Sequence, residues 1–294
     1  MKNIIDAHHH IWPQADLPWL NGTMQPRIFG PYESIMRDYL IEEFQDDITG
    51  SNVQQSVYVQ ANWAPDKAID EVAWVQHMAE QHGTIKGIVG FADLSVDDAR
   101  PQLDGLSKYS LMRGVRQQLH WHQNPMYRFA SHADMALDAN VQANVARLAD
   151  YDWTFDLQVF PDQLPGAAEL VATCPDTTFI LQHAGMLEDS SPDGWQLWRD
   201  NMQLLAAEPN VASKLSGFGT FIHRNDVAHI KAMIVETVAI FGSDRCLFGS
   251  NFPIEKIWTD YATLVQAFID GSSALGDVAG QHIFHDTAKR LYRL

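Results

Sequence analysis

Short apolar runs alternate with longer amphipathic stretches along most of the chain. Most of the short runs are apolar at consecutive positions, which is typical of strands buried on both faces of a parallel sheet. The longer stretches repeat apolar residues every three or four positions, as a helix with one buried face does. The short runs predict strands at residues 3–8, 55–60, 85–91, 111–117, 153–160, 178–183, 211–216 and 245–249.

Helical periodicity fills the intervals between the predicted strands. In the stretch 65–82, Ile69, Val72 and Val75 fall on one helical face. The polar sequence at 95–98 is a helix-start signal before the fourth strand. Similar patterns predict helices at 134–150, 161–173, 192–207, 225–241 and 259–270, and an extra helix at 278–294 that packs against the barrel exterior.

Strands that alternate with helices pair in parallel through right-handed crossovers. Eight such units favour a closed barrel over an open doubly wound sheet, and no glycine-rich dinucleotide-binding motif follows the first strand. We therefore predict one α/β domain, a (β/α)8 TIM barrel with an extra C-terminal helix, over residues 1–294. The segment 12–31 is rich in Trp, Pro and Gly, and its position predicts a cover over the barrel mouth.

Composition and charge narrow the partners that the protein can have. Asp and Glu total 37 and Lys and Arg total 20, so the net charge of −17 disfavours nucleic acid and anionic membranes as partners. No apolar run approaches the ~20 residues that span a bilayer, and the N-terminus lacks a signal-peptide pattern. Cys174 and Cys246 are isolated, which favours a reducing compartment. We expect a cytoplasmic protein.

The strongest local signal for chemistry is the sequence Asp6-Ala7-His8-His9-His10 at the end of the first predicted strand. Side chains at positions i and i+2 of a strand point to the same face, so His8 and His10 project together into the barrel mouth while His9 points away. Two imidazoles placed in this way form half of a divalent-metal site or a clamp for a substrate oxygen. Barrel enzymes carry their chemistry at this end of the strands.

Further short motifs stand at the ends of later strands. They are Met112-Arg113-Gly114-Val115-Arg116-Gln117, Phe155-Asp156-Leu157, Gln182-His183-Ala184-Gly185, Lys214-Leu215-Ser216-Gly217, Phe248-Gly249-Ser250-Asn251-Phe252-Pro253 and the closing stretch 283–292. Together with the histidines of the first strand, this ordered set resembles the amidohydrolase superfamily. The closest resemblance is to the amidohydrolase-2 branch of metal-dependent hydrolases, which includes sugar-acid lactonases and 2-pyrone-4,6-dicarboxylate lactonase.

The resemblance implies that His183 joins His8 and His10 as a third nitrogen donor. Three neutral imidazoles leave open coordination positions for water and substrate. The family's metal use varies, so the resemblance implies either one divalent metal, with zinc favoured, or a metal-independent site. Gln117 and Gln118 stand where binuclear members carry a bridging ligand, which argues against a binuclear centre.

Asn251 departs from the family pattern, which usually has an Asp that deprotonates the attacking water at this position. An amide cannot accept a proton at neutral pH. Three alternatives stay open: Asp156 or one of the histidines acts as base, a metal-bound hydroxide forms without a carboxylate base, or the chain has lost hydrolysis and Asn251 only binds substrate. We treat Asn251 and Asp156 as candidate catalytic residues together with His8, His10 and His183.

Four other residues are candidate substrate contacts. Arg113 and Arg116 are three positions apart and face opposite sides of the strand, and we assign Arg116 to the mouth as a ligand for a carboxylate or lactone oxygen. A salt bridge of Arg116 to a neighbouring acid is the alternative. Lys214 is the third candidate, and it could instead form a structural ion pair. Gln60 and Trp63 are candidate pocket-wall residues, and they could instead only pack against their neighbours.

The resulting hypothesis is an enzyme, a hydrolase that opens a sugar-acid or dicarboxylate lactone. A non-oxidative decarboxylase on the same fold and a catalytically silent barrel that binds a small ligand remain as alternatives. The expected partner is a small molecule, anionic or polyhydroxylated. The sequence leaves a homo-oligomer open.

Overall fold

The computed structural model describes residues 3–294 and contains one parallel sheet in which eight strands follow one another in chain order. All eight predicted strands are confirmed, with ends that differ by at most three residues. The strands are β1 (Ile4–His9), β2 (Val53–Val59), β3 (Ile85–Gly90), β4 (Met112–Val115), β5 (Thr154–Leu157), β6 (Phe179–Leu181), β7 (Val211–Leu215) and β8 (Cys246–Phe248).

The seam between β1 and β8 brings the two ends of the sheet together. Asn251 N–H donates to His8 O at 2.7 Å and His10 N–H donates to Phe252 O at 2.8 Å, just beyond the end of β8. Asp6 is fully buried at this seam and accepts hydrogen bonds from the Ser250 hydroxyl at 2.6 Å and from Tyr261 at 2.8 Å. The sheet is therefore a (β/α)8 barrel, as the alternating pattern predicts.

Helices connect the strands and cover the outside of the sheet. Sequence analysis did not predict the first of these helices, which is short and carries only three buried residues, Ile41, Phe44 and Ile48. The helix predicted from the signal at 95–98 begins later, at Arg100. The helices are α1 (Ile41–Ile48), α2 (Ala68–His82), α3 (Arg100–Leu106), α4 (Ala139–Ala146), α5 (Leu164–Thr173), α6 (Pro192–Ala206), α7 (Val227–Phe241) and α8 (Tyr261–Ser272).

The C-terminal stretch corrects one prediction. It is helical as expected, with α9 (Asp277–Gln281) and α10 (Thr287–Tyr292) joined by a π-helical turn. It does not simply lie on the barrel exterior, because Ala288 and Tyr292 pack against the inner apolar side chains of the strands, among them Ile5 and Val57. The extra helix therefore closes one end of the barrel. Within residues 3–294, no helix is long and apolar enough to cross a membrane.

Candidate active site

A cavity opens at the C-terminal ends of the strands, the end where barrel enzymes carry their chemistry. Its volume, including the open mouth, is about 820 Å³. Trp12, Trp19 and Phe29 from the segment after β1 form part of its wall, so the predicted cover over the mouth is present. Trp19 is fixed there by a 2.9 Å hydrogen bond from its indole N–H to Ala61 O.

The three candidate histidines lie side by side at the cavity. The ring centroids of His8 and His10 are 5.0 Å apart, and those of His8 and His183 are 4.9 Å apart. His9 faces the other way and stacks on Phe44 of α1, at 3.9 Å between ring centroids. The alternation expected from the strand therefore holds for this segment. His10 and His183 line the cavity, and His8 is fully buried behind them.

Hydrogen bonding orients two of these rings and leaves the third without a partner. His10 Nδ1 lies 2.6 Å from Val59 O, and since a carbonyl can only accept, Nδ1 carries the proton and Nε2 keeps a lone pair. His183 Nδ1 shares a 2.8 Å hydrogen bond with Ser216 Oγ. Neither ring nitrogen of His8 has a hydrogen-bond partner, although the side chain is fully buried. A buried polar group without a partner is costly unless a ligand satisfies it.

All three histidines are held in the neutral form. Burial lowers the pKa of His183 to about 3, and the nearby Arg116 and Lys214 charges act in the same direction. Burial also lowers the pKa of His8 and of His10 well below the usual histidine range. Neutral imidazole is the form that binds metal ions and accepts hydrogen bonds.

Two glycines make room for these rings. Gly217 has φ +65°, and a Cβ atom added there would lie 2.6 Å from His183 Nδ1. A Cβ atom on Gly249 would lie 2.5 Å from the Cβ of His8. His183 itself begins a run of four residues with positive φ that ends at Met186. Such backbone is uncommon outside glycine and holds the His183 side chain at the end of β6.

Asn251 lines the cavity with φ +57° and is packed against a carboxyl group that sequence analysis missed. Glu255 is buried and accepts a 2.8 Å hydrogen bond from the Trp258 indole N–H. Burial raises the pKa of Glu255 to about 7, while hydrogen bonds from the Trp258 and Asn251 side chains oppose that rise. The only sequence signal was its place four residues after Asn251.

Arg116 reaches the cavity from the end of β4. Its Nη2 donates to Gln60 O at 2.6 Å and its Nη1 lies 3.4 Å from Gln158 Oε1, while Nε has no partner. Burial lowers the pKa of Arg116 to about 10, so the side chain stays charged at neutral pH. Gln60 contributes its backbone carbonyl to Arg116, and its side-chain oxygen accepts from Asn62 N–H at 2.7 Å.

Besides His8, four candidates lie outside the cavity lining: Gln60, Trp63, Asp156 and Lys214. Asp156 and Lys214 form a fully buried ion pair of 2.8 Å in the barrel interior, which is the alternative kept open for Lys214. Gln182 and Tyr292 also donate to the Asp156 carboxylate, which leaves it committed to internal partners. This placement does not support Asp156 as the base. The ring of Trp63 packs against Trp74, at 5.9 Å between centroids.

Several cavity residues were not found from the sequence. His120 is buried at the wall without a partner for Nδ1, and burial lowers its pKa to about 3. His120 and His122 follow the end of β4, where the i, i+2 rule for strands does not hold, and of the two His120 lines the cavity. Arg27 and Arg128 also line the cavity, and they lie on irregular loops that strand periodicity cannot place.

The histidines fit a divalent metal in donor type and protonation. They are neutral and adjacent, and the buried His8 has no hydrogen-bond partner, which fits what a zinc-type site requires of its ligands. As the side chains are placed, no three His, Cys, Asp or Glu residues between positions 3 and 294 surround a common metal position. The fit therefore rests on the chemistry of the donors.

An eight-stranded barrel with clustered neutral histidines and an arginine at its mouth defines a class of hydrolytic barrel enzymes. A family model described as Amidohydrolase matches residues 5–294. The chain belongs to the amidohydrolase-2 family, and it is an enzyme, a hydrolase of that family. The resemblance inferred from the ordered motifs is confirmed.

Relatives and solved structures cover nearly the whole chain. The protein y4mH of Sinorhizobium fredii is 33% identical over 99% of this chain and 98% of its own length. An L-fucono-1,5-lactonase of Burkholderia multivorans is 29% identical over 99% of this chain and 96% of its own. A crystal structure of an amidohydrolase from Burkholderia multivorans with bound zinc is 27% identical, covers 99% of both chains and has a TM-score of 0.82.

Proposed function

We propose that the protein is a lactonase that opens the ring of a sugar-acid or dicarboxylate lactone. The observation that carries the proposal is the cluster of three neutral histidines at the C-terminal end of the barrel, of which His8 and His10 are buried. Similarity to an L-fucono-1,5-lactonase over nearly the full length of both chains supports the reaction type. The proposal goes beyond family membership because it assigns a substrate class and residue roles.

Lactone hydrolysis adds water across the ring ester. The water oxygen bonds to the carbonyl carbon, the ring oxygen leaves with a proton, and the product is an open hydroxy acid. Arg116 is proposed to donate hydrogen bonds to a carbonyl or carboxylate oxygen through its unpaired Nε. Asn251 cannot take a proton, so it is proposed to position the water or a substrate hydroxyl.

His8, His10 and His183 are the residues that would hold one divalent metal, with zinc proposed. The bound ion would polarise the carbonyl and lower the pKa of a water. Val59 O fixes the protonated nitrogen of His10, and Ser216 orients His183, so both rings can turn Nε2 to the cavity. The zinc in a similar crystal structure supports this choice of metal.

The test is a metal measurement on purified protein followed by a lactone panel at neutral pH, with acid release as the readout. We expect ring opening that stops with a chelator and returns with zinc. His10→Asn should lower kcat/KM by about 10²-fold or more, because it removes a nitrogen that acts on the reacting group. His9→Phe is the matched control, since His9 faces away and stacks on Phe44.

Other outcomes would replace the proposal. Release of carbon dioxide from an aromatic or sugar acid, without lactone opening, would identify a decarboxylase. Ligand binding with no turnover and no metal would identify a silent barrel. Turnover that survives complete metal removal would keep the lactonase and discard the metal.

We also propose a cytoplasmic location and a small-molecule partner. Cys174 and Cys246 are both buried free thiols, which suits a reducing compartment. Fractionation of cells that express the tagged protein tests the location. Recovery in an extracellular or membrane fraction would contradict it.

A further inference from the structure

Three arginines line the cavity, and none of them forms a salt bridge with a carboxylate in residues 3–294. Arg116 comes from the end of β4, Arg27 from the segment after β1, and Arg128 from the loop after β4. No Asp or Glu of the described chain lines the cavity with them. Elsewhere ion pairs are common, and they engage Arg37, Arg100, Arg147, Arg199, Arg224 and Arg293.

Aromatic rings and carbonyl groups hold the two outer arginines in place. The Arg27 guanidinium lies over the Trp19 ring at 5.0 Å, and that of Arg128 lies over Trp121 at 4.7 Å. Arg128 also donates to the carbonyls of His122 and Gln123, at 3.2 Å each. These contacts orient the guanidinium groups but leave their charge unbalanced.

The Arg27 loop is itself a defined turn. Arg27 and Gly30 exchange backbone hydrogen bonds, with Gly30 N–H donating to Arg27 O at 2.8 Å. The side chain of Arg27 is half-buried, whereas Arg128 is exposed at the mouth. One guanidinium is thus held inside the entrance and the other at its rim.

The cavity has the opposite charge to the rest of the molecule. The whole chain carries a net charge of −17, and yet the side chains that line the cavity include three cations and no anion within the described residues. The positive potential is felt by neighbouring groups, since Arg116 and Arg27 both contribute to the lowered pKa of His120. The charges of Arg116 and Arg27, which are the less exposed of the three, would be stabilised by an anionic ligand in the cavity.

We propose that the substrate is a lactone that carries a free carboxylate of its own, bound by Arg27 and Arg128 while Arg116 faces the reacting ring. This inference rests on the proposed lactonase function and narrows its substrate class. Arginine suits the role because its planar donors match a carboxylate. A neutral sugar lactone would leave both outer guanidinium groups without a counter-charge.

The experiment compares pairs of lactones that differ only in that carboxylate. Galactono-1,4-lactone and galactaro-1,4-lactone form one such pair, and the gluco- and manno-configured lactones give two more. We expect the wild-type protein to favour the acid lactone by about tenfold or more in kcat/KM, as a charge-assisted contact implies. Added salt should raise KM for the acid lactone more than for the neutral one.

Substitution of the outer arginines provides the residue-level test. Arg27→Met and Arg128→Met should each raise KM for the acid lactone several-fold, and the double variant should abolish the preference for the acid lactone over the neutral one. Lys108→Met is the charge-matched control, because Lys108 is exposed just before β4, at the other end of the barrel. It should leave both substrates unaffected.

The outcomes separate this inference from the proposed function. Equal turnover of both lactones in each pair, unchanged in the double variant, would overturn the anion site and leave the lactonase intact. If no lactone is opened, the lactonase proposal fails, and calorimetry with the same compounds decides the anion site alone. Tighter binding of the acid lactones to the wild-type protein than to the double variant would support the anion site. Equal binding to the two proteins would refute the anion site.

Discussion

The barrel interior contains two buried polar clusters that differ in how their polar atoms are satisfied. In the first, Asp156 accepts from Lys214 Nζ at 2.8 Å, from Gln182 Nε2 at 2.9 Å and from the Tyr292 hydroxyl at 3.1 Å. In the second, at the cavity, His8 is fully buried and neither of its nitrogens has a partner. Asp156, Lys214 and His8 all lie on strands of the same sheet.

The difference separates the groups that hold the fold from the groups that act on a ligand. A satisfied network in a low-dielectric interior stabilises one arrangement of the strands. An unsatisfied group destabilises the free protein, and its retention is expected where a metal or substrate supplies the missing partner. The largest effects of substitution should therefore fall on stability in the first cluster and on activity in the second.

Lys214→Met should produce the largest effect. It leaves the Asp156 carboxylate buried without a cation, and loss of one partner of a buried pair costs about 3–5 kcal/mol. Urea unfolding at pH 7 measures this loss as a lower free energy of unfolding. The double variant Asp156→Asn/Lys214→Met should recover part of it, because no charge stays unpaired. A loss below about 1 kcal/mol would contradict the structural role of the pair.

His8→Leu should show the reverse pattern. The substitution removes two buried nitrogen atoms that have no partner, so the free energy of unfolding should stay the same or increase by up to about 1 kcal/mol. Lactone turnover should fall by about 10²-fold or more. Parallel assays of stability and turnover on one preparation give the comparison. Destabilisation by several kcal/mol with turnover retained would show that His8 holds the fold, as the Asp156 cluster does, and does not act on a ligand.

Glu71 on α2 lies between the two kinds of cluster, because one of its carboxylate oxygens has hydrogen-bond partners and the other has none. Its Oε1 accepts from the Tyr58 hydroxyl and from Ala61 N–H, its Oε2 has no partner, and burial raises its pKa to about 7. Between pH ~4.5 and pH ~7 the folded protein holds a proton that the unfolded chain has lost. The free energy of unfolding therefore decreases as pH rises through this window, by at most about 3 kcal/mol from this group.

Glu71→Gln tests that pH dependence. The variant should gain stability relative to wild type as pH rises from 5 to 8, measured by urea unfolding at each pH. Glu80→Gln is the control, since Glu80 is exposed on the same helix and should show no such trend. A constant difference between Glu71→Gln and wild type across this range would show that the folded-state pKa is not raised.

Gly217→Ala should lower the free energy of unfolding by about 1–2 kcal/mol, because alanine is strained at positive φ. The added Cβ, 2.6 Å from His183 Nδ1, should also displace the ring and lower turnover by about tenfold. Gly83→Ala is the matched control, with φ +75° and nothing within 4 Å of the added Cβ. It should lose similar stability and keep full turnover. Equal turnover in both variants would show that Gly217 does not position His183.

Local patterns in the sequence were sufficient to predict the eight strands and the directions of His8, His9 and His10. Period and polarity within a few residues determine both features. The short helix Ile41–Ile48 escaped because three buried residues give too little periodicity. The C-terminal helix was found, but the residues it would contact could not be inferred.

Contacts between residues that are far apart in the sequence could not be predicted from local patterns. Lys214 and Tyr292 meet Asp156 across 58 and 136 residues, and no local pattern links them. Arg27 and Arg128 reach the cavity through loops whose conformations depend on the packing of Trp19 and Trp121. Glu255 was missed because a lone carboxyl in a loop looks like an exposed residue until its burial is known.

The contact between Tyr292 and Asp156 has a consequence for folding during synthesis. Asp156 emerges from the ribosome 136 residues before the hydroxyl group that bonds to it. At typical elongation rates of about 5–20 residues per second, the nascent chain waits roughly 7–27 s for that partner. Until Tyr292 arrives, one end of the barrel lacks its plug, and the apolar side chains that the C-terminal helix covers, among them Ile5 and Val57, stay open to chaperones and to other nascent chains.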